Sequence, residues 1–218
     1  MEPLLFLDNL AWSGFAARPV PVLRQLTWAI APGERWAVLG PEGCGKSTLL
    51  RLMAGLLRPS GGAVWLQGQP CATVARRAAW LGVLFSEPAT RFLTPVVWEE
   101  VALTPGFHGL AGEALQQRVA ETLQWAGLAA DLAPRELATL SAAECARVAW
   151  AVAWVMRPPL LLLDEPGACL SEAGEEEMAQ RLDGLSGVAS VVFTSRRARA
   201  ARFAERLLWL EGGEVQFL

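Results

Sequence analysis

The chain has 218 residues, 53% of them hydrophobic and 19% charged, with a formal net charge of −3. That size allows one domain with a substantial core, the apolar content excludes disorder, and the mild acidity gives no electrostatic case for nucleic acid as the main partner. The longest apolar stretches, residues 148–156 and 160–163, are far shorter than the roughly 18 residues of a membrane span.

Strands are predicted over residues 4–12 and 22–30, with a Pro- and Gly-containing segment between them, and over 35–39, ending at Gly40. A helical pattern runs from Lys46 to about Leu57 and is followed by Pro59 and a Gly-Gly pair. Residues 63–66 and 79–85 read as further strands. The signal turns helical between 94 and 138, most clearly over 112–125. Another helix over 142–156 meets Pro158-Pro159, and the all-leucine run 160–163 has the look of a buried parallel strand. Helix 171–183, strand 189–194, helix 196–205 and the strand pair 207–210 and 214–217 complete an α/β pattern.

Four scattered cysteines (Cys44, Cys71, Cys145 and Cys169) argue against a disulfide framework or a zinc site and for a reducing compartment. Residues 4–7, flanked by Glu2 and Asp8, do not read as a signal peptide. The ten tryptophans either fill the core or form an apolar docking face. His108 reads as a surface or packed residue.

Three segments carry chemistry. Gly40-Pro41-Glu42-Gly43-Cys44-Gly45-Lys46-Ser47-Thr48 fits a phosphate-binding loop between a strand and a helix. Its glycines let successive N–H groups converge on an anion, Lys46 reaches the outer phosphates of a nucleotide, and Ser47 can ligate Mg2+. The leucine strand then ends in Asp164-Glu165, at a sheet's carboxyl edge. Asp164 is the second magnesium candidate, and Glu165 the candidate that orients and polarises an attacking water. The third segment, Leu140-Ser141-Ala142-Ala143-Glu144, lies 23 residues before Asp164 (164 − 141) and opens a helix. Taken alone it is a serine-capped helix start with a capping box.

Together these segments resemble the nucleotide-binding domain of ABC transporters, whose signature L-S-G-G-Q precedes the aspartate strand at about this spacing. The resemblance extends over nearly the whole chain. Residues 84–105 also resemble a pattern of energy-coupling-factor importers through Phe85, Pro88, Val97, Glu99, Val101, Ala102 and Pro105. The resemblance implies an α/β phosphate-loop NTPase of ABC type. Such a domain has a mainly parallel core sheet, an N-terminal antiparallel β part and an inserted helical subdomain near residues 87–157 of a single domain 1–218. It implies ATP and Mg2+ as ligands, a second ABC ATPase subunit and an integral membrane transport subunit as partners. It also places the chain peripherally, at the cytoplasmic face of the membrane. Ser141 and Ala143 are then the signature residues that meet a nucleotide across the dimer. Residues 91–101, with Phe92, Leu93, Val96, Val97 and Trp98, border the groove for a coupling helix or form a satellite core.

Several family positions are altered here. The glutamine after Phe85 is Ser86, the signature glycines are Ala142 and Ala143, the aspartate after Leu170 is Ser171, and the switch histidine after Thr194 is Ser195. With no tyrosine in the chain, Phe15 is the candidate for stacking on adenine, beside Gly14 and Trp12. These changes keep phosphate and metal ligands while removing sensors, so binding is expected to survive better than turnover. A homodimer would carry each defect in both sites, which favours a heterodimer. The expected function is ATP-driven import of a vitamin or metal ion. A catalytically weak regulatory subunit, or an ATPase of another ABC family, is the alternative. Soluble ABC proteins of translation or repair usually fuse two such domains or carry long coiled-coil insertions, neither of which is evident.

Overall fold

A segment apolar at every position is stable only when both its faces are covered. In the computed structural model, Leu160–Asp164 is accordingly a strand with all five residues buried. The structure describes residues 2–14, 21–70, 80–86 and 92–218. In chain order the strands are β1 (Leu5–Ser13), β2 (Pro21–Ile30), β3 (Arg35–Leu39), β4 (Gly61–Leu66), β5 (Gln69–Pro70), β6 (Leu81–Leu84), β7 (Leu160–Asp164), β8 (Ala189–Thr194), β9 (Arg206–Glu211) and β10 (Glu214–Phe217). The helices are α1 (Lys46–Met53), α2 (Val97–Phe107), α3 (Gly112–Trp125), α4 (Ala142–Trp154), α5 (Glu172–Asp183) and α6 (Arg197–Phe203).

Two sheets form. One has six strands in the order β10-β9-β3-β8-β7-β6. Within it β3 runs parallel to both β8 and β9, β7 runs parallel to β8, and β10 is antiparallel to β9. Leu39 pairs with Thr194 and Asp164 with Phe193, so the carboxyl ends of β3, β7 and β8 share one sheet edge. That edge is where open α/β sheets bind ligands. The other sheet is antiparallel, in the order β2-β1-β4-β5. Its alternation is interrupted at Asn9 on β1 and at Gln25 on β2, which adopt φ of 50° and 46°. The register shift at Asn9 restores phase, so that Leu5, Leu7 and Leu10 are all buried although the last lies an odd number of residues on.

Helix α1 is shorter than its apolar pattern. Gly55 takes φ 77°, its N–H donates to Leu52 O at 3.1 Å, and Leu56 N–H donates to Arg51 O at 2.8 Å. That pair of bonds is a Schellman stop with glycine at its left-handed position, so the helix ends at Met53 rather than near Leu57. Helix α4 likewise ends at Trp154, two residues before the expected position. The chain clusters into two compact units: residues 1–83, 159–164 and 186–218, and residues 84–158 and 165–185.

In the second unit, Val97 and Val101 of α2, Val119 and Leu123 of α3, Val148 and Ala151 of α4 and the C-cap residue Val155 form a common core. Arg147 of α4 and Arg181 of α5 both bind the Glu177 carboxylate and hold it below its usual pKa, chiefly through the Arg147 hydrogen bond. The same two guanidiniums donate to the carbonyls of Ala126 at 2.9 Å and Trp125 at 2.7 Å, which capes the end of α3 with positive charge.

The tryptophans belong mainly to the core. Trp28, Trp36 and Trp150 are buried, six others are half-buried, and Trp80 is exposed at only 37%. The apolar docking face made of tryptophans is therefore not what their number reflects.

Candidate functional site

Strand β3 hands the chain directly to the glycine-rich loop. Gly40 has no room for a side chain, since a Cβ there would lie 2.2 Å from Leu210 O and 2.7 Å from Cys44 Sγ. Gly43 and Gly45 take φ of 77° and 108°, which L side chains rarely adopt. Gly45 is also the N-cap of α1, so no side chain shields the first turn. An uncapped helix start with its dipole end exposed favours an anion. Lys46 supplies the fixed charge. Its Nζ arches over the loop, donating to Gly40 O and Pro41 O at 2.8 Å each, and lies 3.8 Å from Cys44 Sγ.

The loop and the aspartate strand meet through one side-chain contact. Ser47 Oγ donates to Asp164 Oδ2 at 3.4 Å, across 117 residues of chain. Asp164 is 94% buried (6% exposed) at the end of β7. Glu165 follows in a left-handed conformation, φ 47°, unusual for a residue with a side chain and more so before a proline. Such a conformation costs on the order of 1–3 kcal/mol and persists where neighbours fix it. Ser86 and Glu165 line one small pocket with Phe85, Ala146, Ala168 and Cys169.

Ser141 is the N-cap of α4. Its hydroxyl accepts from Glu144 N–H at 3.2 Å and donates to Glu144 Oε2 at 2.7 Å, while Ser141 N–H donates to the same carboxylate oxygen at 2.8 Å. The Ser141 hydroxyl, then its backbone N–H, hold the Glu144 carboxyl below its usual pKa. Ala143 is half-buried one residue before it. Ser171 has become a helix cap as well, accepting from Gly174 N–H at 3.2 Å at the start of α5. Ser195 is exposed just beyond β8, and His108 is exposed at the end of α2, far along the chain from Asp164. Phe15, the adenine candidate, lies outside the described residues, as do Pro88 and Arg91.

The segment 91–101 divides against a continuous docking surface. Val97 is fully buried in the helical core, with Phe92 and Trp98 packed on it. Among its described apolar residues Leu93 is the one that stands well out, at 80% exposure. The missed residue is Glu100, buried at 6% exposure, whose Oε2 accepts from Leu93 N–H, Thr94 N–H and Thr94 Oγ1–H at 2.9, 2.8 and 3.0 Å. Its place in the first turn of α2, six residues after a threonine, was the available signal.

A family model described as ABC transporter matches residues 23–168, a span holding the phosphate loop, the altered signature and Asp164-Glu165. The energy-coupling factor transporter ATP-binding protein EcfA2 of Methanospirillum hungatei is 33% identical across 99% of this chain and 55% of its own length. The cobalt import ATP-binding protein CbiO of Rhodobacter capsulatus is 35% identical across 99% of this chain and 78% of its own. The chain thus spans about half of the first relative and some three quarters of the second. The dimeric structure of the bacterial ABC transporter cassette MJ0796 superposes with a TM-score of 0.89 at 27% identity, covering 97% of this chain and 96% of that one. This chain belongs to the ABC transporter family, as one of its ATP-binding ATPase domains on a phosphate-loop α/β fold.

Proposed function

We propose that the chain binds ATP with Mg2+ through residues 40–48 and Asp164 and closes against a second, less altered ABC ATPase subunit. That closure drives a separate membrane subunit in an importer of energy-coupling-factor type, for a vitamin or a metal ion. The observation that carries the reading is the meeting of Ser47 and Asp164 beside a loop that holds Lys46. The importer class draws support from the names of the EcfA2 and CbiO relatives. Among the described residues no helix is long and apolar enough to cross a membrane, which is consistent with peripheral attachment at the cytoplasmic face.

The donor set suits magnesium. Ser47 Oγ and Asp164 Oδ2 are hard oxygens 3.4 Å apart, close to the roughly 2.9 Å between neighbouring ligands of an octahedral ion at 2.0–2.1 Å. Bound there, the ion would offset negative charge on the phosphates. Lys46 and the loop N–H groups do the same from the protein side. Glu165 accepts a proton from water as the water oxygen bonds to the γ-phosphorus and the bond to the ADP oxygen breaks, giving ADP and phosphate. Ser141 and Ala143 face the partner's nucleotide, and Phe15 is the candidate for the base. A second reading, a weakly catalytic regulatory subunit, is favoured by Ser195, which offers no imidazole for the charge that develops in phosphoryl transfer.

The test is to change Glu165→Gln here, and the equivalent glutamate in the partner, within the assembled complex. The partner's change is expected to remove most ATPase activity and Glu165→Gln the smaller share. If Glu165→Gln alone abolishes activity while the partner's change does little, the main catalytic site lies in this chain and the reading fails.

A further inference from the structure

We infer that Trp150, in the interior of α4, is a positioning residue for Glu165: its indole N–H holds the backbone immediately after the carboxylate through the carbonyl oxygen of Pro166. The inference rests on the reading of Glu165 as the residue that acts on the attacking water.

Glu165 is left-handed at φ 47° ahead of a proline, a conformation the chain does not keep unaided. Among the described residues, three of the contacts around it bear on that conformation. Ala168 N–H donates back to Glu165 O at 3.0 Å, closing a turn. Gly167 lies against the buried Glu175, so closely that a Cβ would come within 2.4 Å of its side chain. Trp150 Nε1–H donates to Pro166 O at 3.1 Å. The first contact is local and the second is packing. The third is directional, and it comes from the helix that begins at Ser141.

The donor is held as firmly as the acceptor. Trp150 is fully buried. Its ring lies 6.1 Å from that of Trp125, which in turn lies 5.4 Å from Trp154. Trp125 is anchored through its carbonyl by Arg181, and Arg181 shares Glu177 with Arg147. Burial of an indole does not by itself produce such a bond. The Nε1 atoms of Trp28, Trp65 and Trp125 are buried with no hydrogen-bond partner among the described residues. A displacement of α4 is therefore passed to the peptide that carries the Glu165 carboxylate.

The test uses the full chain with Trp150→Phe, which keeps an aromatic ring against Trp125 and removes the N–H. Hydrogen exchange of the peptide covering residues 165–170 is the direct readout, because Ala168 N–H and Leu170 N–H report the turn, with strand β8 as internal reference. Exchange at 165–170 should rise about tenfold with β8 unchanged. In single-turnover hydrolysis the rate constant should fall roughly tenfold while the ATP concentration for half-saturation stays within about twofold. In a Glu165→Gln background the same substitution should cost nothing further. Unchanged exchange at 165–170 overturns the inference, and so does equal loss in the Glu165→Gln background. If instead Glu165→Gln itself leaves turnover intact, it is the catalytic reading of Glu165 that fails, while the exchange result still decides the positioning claim. Should Trp150→Phe lose its cooperative melting, Trp150→Met, which fills irregular space, is measured in the same way. Unfolding of both assigns Trp150 a packing role alone and overturns the inference.

Discussion

Helix α1 begins at Gly45, which has no side chain to offer, beneath a lysine folded over the loop before it, whereas helix α4 begins at Ser141, whose hydroxyl and backbone are both taken by Glu144. Both starts carry the positive end of a helix dipole. At α1 the loop geometry and Lys46 leave that end suited to a phosphate. At α4 a carboxylate of the chain itself already occupies the equivalent place, and the two preceding methyl groups of Ala142 and Ala143 stand where glycines allow close approach. On the proposed reading, the contrast lets one domain keep its affinity for a nucleotide while weakening the surface it would offer to a partner's nucleotide. Local capping chemistry decides the matter at both ends.

The largest expected effect comes from breaking the α1 side. Gly40→Ala forces a methyl group to within 2.2 Å of Leu210 O in the strand behind the loop. It should lower the melting temperature by about 5 °C or more and abolish measurable ATP binding, as read by thermal melts with and without nucleotide. Next in size is Ser195→His, which on the proposed reading places an imidazole where the family's switch histidine would stand. Turnover in the complex should rise about tenfold, with ATP affinity within a few-fold of the wild type, in steady-state assays paired with titrations. An affinity change that equals the rate change would put Ser195 in ground-state binding instead.

The smallest effect belongs to α4. Glu144 has its pKa lowered in the folded chain, so its contribution to stability is present above the ordinary carboxylate range. It is lost as the pH falls through the depressed folded value. Glu144→Ala should therefore lower the melting temperature by about 2 °C at neutral pH, and the gap to wild type should close under acid, in a melt series against pH. A gap that stays constant with pH would mean that the capping carboxylate is not what stabilises this turn.

Much of this was legible in the sequence because the chemistry demands contiguous residues. Gly40 to Thr48 is one unbroken stretch, and four leucines before Asp164 can only be a buried strand. The limits of α3 and β8 were readable from hydrophobic periodicity. Helix α1 was read too long because its apolar pattern runs on to Leu57, past the glycine that turns the chain at position 55. The segment 91–101 was ambiguous for the same reason, since apolar side chains look alike whether they face a core, as Val97 does, or solvent, as Leu93 does. Links between residues distant in the chain left no trace in periodicity. Trp150 to Pro166 spans 16 residues and Arg147 to Glu177 spans 30, and neither pair belongs to a motif. Phe15 lies outside the described residues, so its reading rests on sequence alone.

On the proposed reading the chain holds ATP through its own glycine-rich loop even though residues 141–143 depart from the family signature. Titration of the wild-type chain and of Lys46→Ala with a fluorescent ATP analogue, in the presence of Mg2+, tests it most directly. The wild type should bind saturably, and Lys46→Ala should bind roughly a hundredfold more weakly, the loss expected when a charged donor to phosphate is removed. Equal affinity of the two proteins would contradict it.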